Sequence, residues 1–119
     1  MKSYLKMLMM AGVFALSLAV FQEDALADTQ YASWYGPGLE GNVTASGDIF
    51  EPYTEYTAAS PYYAFGTELL VTYGDASVVV EVTDRGPYAA GRDLDLSAVA
   101  AEEIGLTYYG TDYVEVEVL

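Results

Sequence analysis

The chain has 119 residues, room for one domain and not for two. It holds no cysteine and no histidine, which excludes disulfides, thiolate metal sites, and the Ser-His-Asp and Cys-His catalytic arrangements. With 18 acidic against 4 basic side chains and a net charge of −14, it is a poor partner for a phosphate backbone or an anionic lipid surface.

The N-terminus has the make-up of an export leader. Lys2 and Lys6 precede an apolar run from Met7 to Phe21, too short and wrongly flanked for a membrane span. Ala25-Leu26-Ala27 gives the small-x-small pattern that places cleavage after Ala27. Residues 1–27 are therefore expected to be a signal peptide, and 28–119 the mature domain. No cysteine follows the apolar run, so lipoprotein-type anchoring is excluded. The expected location is extracytoplasmic, as a secreted, periplasmic or cell-wall protein with no stable membrane insertion after cleavage. Beyond the leader, Arg85 and Arg92 are the only basic side chains.

Short alternating runs follow, separated by Gly and Pro, the pattern of a small barrel or sandwich. Gln30 to Tyr35 is expected to be the first strand, broken by Gly36-Pro37-Gly38. Gly36 to Phe50 reads as loop, with a turn at Ser46-Gly47-Asp48. Pro52 to Phe65 is aromatic and irregular. Glu68 to Tyr73 alternates, placing Leu69, Val71 and Tyr73 on one face. After a Gly74-Asp75 turn, Ser77 to Thr83 forms a strand with Val78, Val80 and Val82 inward; Val79 suggests cover on both sides. Asp84 to Gly91 is loop. Ser97 is positioned to cap one helix, Ala98 to Ile104, ended by Gly105. Asp112 to Leu119 closes the chain as a strand, with Val114, Val116 and Val118 inward and Glu115 and Glu117 outward. The expected fold is all-β: a closed or nearly closed barrel with one short helix, since closure removes exposed sheet edges.

Six blocks carry a more specific signal. They are Ala32-Ser33-Trp34-Tyr35-Gly36, Thr44-Ala45-Ser46-Gly47-Asp48, Thr57-Ala58-Ala59, Phe65-Gly66-Thr67, Val82-Thr83-Asp84-Arg85-Gly86-Pro87-Tyr88, and Asp93-Leu94-Asp95-Leu96-Ser97 with Ala100-Ala101. In this order they resemble the rare lipoprotein A (RlpA-like) domain over nearly all of residues 28–119. The resemblance implies a six-stranded double-psi β-barrel that works on cell-wall peptidoglycan. It implies a lytic transglycosylase that prefers peptide-stripped glycan strands, or, by analogy with expansin-type relatives, a glycan-binding module that loosens polysaccharide without cutting it.

The family's aspartate before Arg-Gly-Pro falls on Asp84. Its acidic residue after the Thr-Ala-x-Gly block, usually glutamate, is Asp48 here. The acidic residue three positions later, usually aspartate, is Glu51. Where the family has histidine after Thr-Ala-Ala, this chain has Ser60. The implied catalytic set is Asp84, Asp48 and Glu51.

In a lytic transglycosylase the muramyl 6-hydroxyl attacks the anomeric carbon, so one carboxyl can act as acid and then as base, and no histidine is required. At a barrel rim beside apolar walls, desolvation would raise the Asp84 pKa toward a useful range; the alternative is that Asp84 caps the following turn. Ser60, Trp34 and Tyr35 are candidate substrate contacts, the aromatics as a stacking platform or as core packing. Arg85 and Arg92 are candidate anchors for the lactyl carboxylate of the glycan, or else partners in salt bridges. The expected partner is the glycan strand, bound by a monomer with no cofactor or metal and no nucleic acid.

Overall fold

The computed structural model describes residues 27–35 and 38–119. The expected leader and the Gly36-Pro37 break lie outside the described residues, except that Ala27 begins the first strand. Six strands and two short helices follow in chain order: β1 (Ala27–Tyr35), β2 (Thr57–Ala59), β3 (Glu68–Tyr73), β4 (Ala76–Asp84), β5 (Leu94–Ser97), α1 (Ala98–Glu103), α2 (Leu106–Tyr109) and β6 (Asp112–Val118).

The strands close into a barrel in the order β1-β5-β2-β4-β3-β6. Two pairs are parallel, β1 with β5 and β2 with β4; the others are antiparallel. This is the expected all-β double-psi architecture, with no free sheet edge. The period-2 pattern fills the interior: Leu69 and Val71 of β3, Val80 and Val82 of β4, and Val114 and Val116 of β6 are all buried. Replacing one such side chain, for example Leu96→Ala, removes contacts that cannot be remade and costs about 2–5 kcal/mol.

Four local expectations are corrected. Val79 is exposed, so β4 is covered on one face only; its neighbours Val78 and Val80 already point into the barrel. Val118 is also exposed, because it lies where β6 runs out of the barrel. There are two short helices, not one. Gly105 adopts φ 82°, a left-handed turn that suits glycine, and the chain re-enters a single helical turn over Leu106–Tyr109 instead of stopping. Ser97 does precede α1, but its hydroxyl does not cap it. It donates to the Glu55 carbonyl and accepts from the Thr57 N–H instead, which ties β5 to the start of β2.

Candidate functional site

Four strands line up one outward-facing row on the barrel wall. Ser33 of β1 stands opposite Asp95 of β5, Asp95 opposite Ala59 of β2, and Ala59 opposite Asp84 of β4. The flanking residues Ala32, Leu94, Leu96 and Ala58 belong to the core, so alternation turns this row to the outer side of the barrel wall, where Ser33 and Ala59 are buried and Asp84 and Asp95 half-buried. Asp84 joins it through a β-bulge. Ala58 pairs with Val82, and Ala59 then pairs with Asp84, skipping Thr83. A regular register would put Thr83 opposite Ala59 and send Asp84 to the other face. Strands lie about 4.8 Å apart, so the backbones carrying Asp84 and Asp95 are about 10 Å apart with one small side chain, Ala59, between them.

Each carboxylate is held differently. Asp84 accepts the N–H of Ala45 at 3.0 Å and of Arg85 at 2.9 Å, both on Oδ1. The turn-capping role is thus observed, and these bonds leave Oδ2 for other partners. Asp95 is largely buried and accepts the Ser33 hydroxyl at 2.6 Å. Burial raises its pKa above the ordinary 3.8, while the Ser33 bond and the Arg92 charge pull it partly back. Tyr35, also on the outer face of β1, lies within the field of both carboxylates. Burial first, then Asp84 and Asp95, push its pKa upward, so its hydroxyl stays protonated. Its ring stacks on Phe50 at 4.6 Å. Among the described residues its buried hydroxyl has no hydrogen-bond partner, which leaves a donor at the floor of the row.

The other sequence-derived candidates separate into groups. Asp48 sits at the base of a hairpin tip and is exposed. Its carboxylate accepts the Ser46 hydroxyl at 3.1 Å, and Gly47 supplies the φ of 97° that the tip needs. This tip is docked on the end of β4 by the Ser46 N–H to the Thr83 carbonyl, so Asp48 borders the row without joining it. Glu51 is exposed and lines a separate hollow of about 350 Å³ with Glu40, Ile49, Phe50 and Tyr53; neither Asp84 nor Asp95 lines it.

Ser60 is fully buried. Its hydroxyl accepts the Tyr62 N–H and its N–H donates to the Asp84 carbonyl. It closes a turn beneath the site and offers no surface to a ligand. Trp34 points the opposite way from Ser33 and Tyr35 and rests against the core, so it is packing and not platform.

The arginines bond to neither carboxylate through the hydrogen bonds described. Arg85 donates to the Ser60 carbonyl at 3.1 Å and lies 3.9 Å over the Phe65 ring, a cation–π contact. Arg92 donates to the Ser33 hydroxyl at 3.0 Å, so Arg92, Ser33 and Asp95 form a chain leading into the row. Among the described residues these are the contacts that hold the two arginines, in place of the salt bridges that were the alternative reading.

Asp95 is the acid of this row that sequence reasoning passed over. The alternation Asp93-Leu94-Asp95-Leu96-Ser97 was its signal: two leucines inward require Asp95 outward. Among the described residues, no three carboxylates gather in a metal-holding arrangement; the site's chemistry is that of carboxyl, phenol and hydroxyl groups.

Comparison with known proteins agrees with this architecture. The family described as "Lytic transglycolase" matches residues 27–117. The probable endolytic peptidoglycan transglycosylase RlpA of Aquifex aeolicus is 47% identical over 91 residues, covering 75% of this chain and 40% of that protein. The endolytic peptidoglycan transglycosylase RlpA of Vibrio cholerae is 42% identical over 90 residues, covering 74% of this chain and 34% of its own length. The chain thus spans two-fifths or less of these relatives. Among solved structures, an expansin of Clavibacter michiganensis superposes with a TM-score of 0.64 at 26% identity, over 78% of this chain and 50% of that one. A Streptomyces papain inhibitor shares the fold, with a TM-score of 0.65 at 17% identity over 78% of this chain and 94% of the inhibitor.

Proposed function

The chain belongs to the lytic transglycosylase family typified by RlpA, and from that premise we propose that it is an exported enzyme that cleaves the bond between muramyl and glucosaminyl units of peptidoglycan, releasing 1,6-anhydromuramyl ends. The observation that carries this reading is the pairing of Asp84 and Asp95 across Ala59 on one outward row.

The two carboxyl groups have environments suited to different work. Asp95, desolvated and raised in pKa, is the group able to hold a proton and give it to the glycosidic oxygen. Asp84, fixed by two N–H bonds on one oxygen, presents its other oxygen to the positive charge that develops at the anomeric carbon. The Asp95 carboxylate then takes the proton of the muramyl 6-hydroxyl as that oxygen closes on the anomeric carbon. Tyr35, within the field of both, is a neutral phenol on the same side of the barrel wall. Arg92, at the end of the Ser33 bridge, is the cation best placed for a lactyl carboxylate.

A second reading has its own support. Ser60 stands buried where the family has histidine, Asp48 and Glu51 lie off the row, and the barrel superposes on an expansin. These features favour a module that binds and loosens glycan without cutting it. Mass spectrometry of peptide-stripped glycan incubated with the protein separates the two. New anhydromuramyl ends that vanish in Asp95→Asn are the expected result. Binding without new ends makes it the expansin-type module.

A further inference from the structure

A second row runs beside the first, two residues back along β1 and β5. Tyr113 of β6 pairs with Tyr31 of β1, and their rings meet edge to face with centroids 4.8 Å apart. Asp93, just before β5, donates its N–H to the Tyr31 carbonyl at 2.8 Å. One Asp93 carboxylate oxygen accepts the Tyr31 N–H at 3.1 Å, and the other accepts the Tyr62 hydroxyl at 2.9 Å. The Tyr31 hydroxyl shares a hydrogen bond with Thr111 at 2.8 Å. Asp93 therefore ties the Tyr62 hydroxyl to the Tyr31 backbone, Thr111 holds the Tyr31 hydroxyl, and Tyr113 packs on the Tyr31 ring.

Two residues of strand put this shelf about 7 Å from the Ser33–Asp95 row on the same outer face, on the order of one sugar unit. Arg92 lies between the rows, adjoining Asp93 in sequence and reaching Ser33. The shelf is solvent-facing: Tyr113 is 63% and Tyr62 61% exposed. A hydrophobic interior explains neither side chain, and hydrogen bonding has already fixed Tyr31 and Tyr62, so little rotamer freedom is lost on binding. Flat ring surfaces carrying hydroxyls, around a carboxylate that is already satisfied, match a neutral polyol ring. An anionic ligand would meet the Asp93 carboxylate at the centre of the shelf.

We propose that Tyr31, Tyr62 and Tyr113, gathered around the Asp93 link between Tyr31 and Tyr62, form a secondary subsite that binds a sugar unit of the same glycan strand adjacent to the cleavage row. This rests on the glycan reading above. It makes the protein a reader of strand length: fragments confined to the carboxylate row miss the shelf, and longer strands use both.

The test is binding of peptide-stripped glycan fragments graded by length, by calorimetry, to the wild type and to Tyr113→Ala, Tyr113→Phe and Asp93→Asn. Affinity of the wild type should step up once a fragment is long enough to reach the shelf. Tyr113→Ala should remove that step, a loss of about three- to tenfold for long fragments, and leave short fragments unaffected. Tyr113→Phe should restore it. Asp93→Asn, with one acceptor left for two donors, should weaken the step. A step that persists in Tyr113→Ala, or a loss equal at every length, overturns the subsite. So does a wild-type dimer that Tyr113→Ala turns into monomer, since the shelf would then be a contact between copies. If the wild type binds no fragment of any length, the glycan reading falls with it.

Discussion

The carboxylates on strands and the carboxylates on the hairpin loop follow different rules. Asp84 and Asp95 are placed by backbone register, one through a bulge and one through plain alternation, and each is held by hydrogen bonds from other elements. Asp48 and Glu51 belong to the 38–55 segment. Asp48 bonds within its own turn, and Glu51 faces a different hollow. A position fixed by several strands can hold a reacting group within the tolerance that catalysis needs, whereas an exposed loop side chain must be ordered by the substrate.

The sharpest way to break this contrast is to neutralise each acid in turn. Asp95→Asn should lower turnover about 10²- to 10⁴-fold, the range for losing a general acid. It should also raise Tm at pH 7. The folded Asp95 pKa is raised, so the fold favours its protonated form: that contribution is fully present below pH 3.8 and is lost, as ionisation of the half-buried carboxyl becomes a cost, while pH rises through the folded value. A neutral amide escapes the loss. Thermal melts at pH 7 and pH 3 check the sign, with no gain expected at pH 3.

Asp84→Ala should come next, costing about 0.5–1.5 kcal/mol of stability by removing the acceptor of the exposed Ala45 N–H and the half-buried Arg85 N–H. Asp84→Asn keeps an acceptor and should spare the fold while lowering turnover. Asp48→Asn and Glu51→Gln should change turnover less than about threefold, because neither is anchored to the row; steady-state kinetics on one glycan preparation compares all of these. Arg92→Gln should move the pH limb of turnover upward, since Arg92 lowers the Asp95 pKa.

The smallest expected effect lies at the start of β6, beside the Tyr31–Tyr113 pair, where Tyr73 donates to Asp112 at 2.6 Å. That bond lowers the Asp112 pKa from 3.8 and raises that of Tyr73 to about 12. Its contribution to stability is present above pH 3.8 and lost as pH falls through the depressed value. Tyr73→Phe should therefore lower Tm slightly at pH 7 and not at pH 2.

What was legible in the sequence follows from how local each signal is. The valine alternation fixed β4 and β6, and β3 is bounded at Glu68 and Tyr73 as expected, because period-2 burial needs no knowledge of the partner strand. Thr57–Ala59 and Leu94–Ser97 are too short to show a period, and they become strands only through pairing with β4, β1 and each other. The site shares that weakness. Asp84 was found by motif, but its outward aim depends on a bulge that no pattern reveals. Asp95 was one acid of the Asp93-Leu94-Asp95-Leu96-Ser97 block, and nothing local set it apart from Asp93. Trp34 and Tyr35 are neighbours of one chemical type, and alternation alone sends one inward and the other to the site.

The central claim is that Asp95 carries the proton for the paired carboxylates. Carbon-13 NMR titration of the aspartate carboxyl groups, set against the pH profile of turnover, tests it directly. The account predicts an Asp95 midpoint above 3.8 that coincides with the pH at which turnover falls, and that rises further in Arg92→Gln. An Asp95 midpoint at or below 3.8, or a turnover profile indifferent to it, would contradict the account.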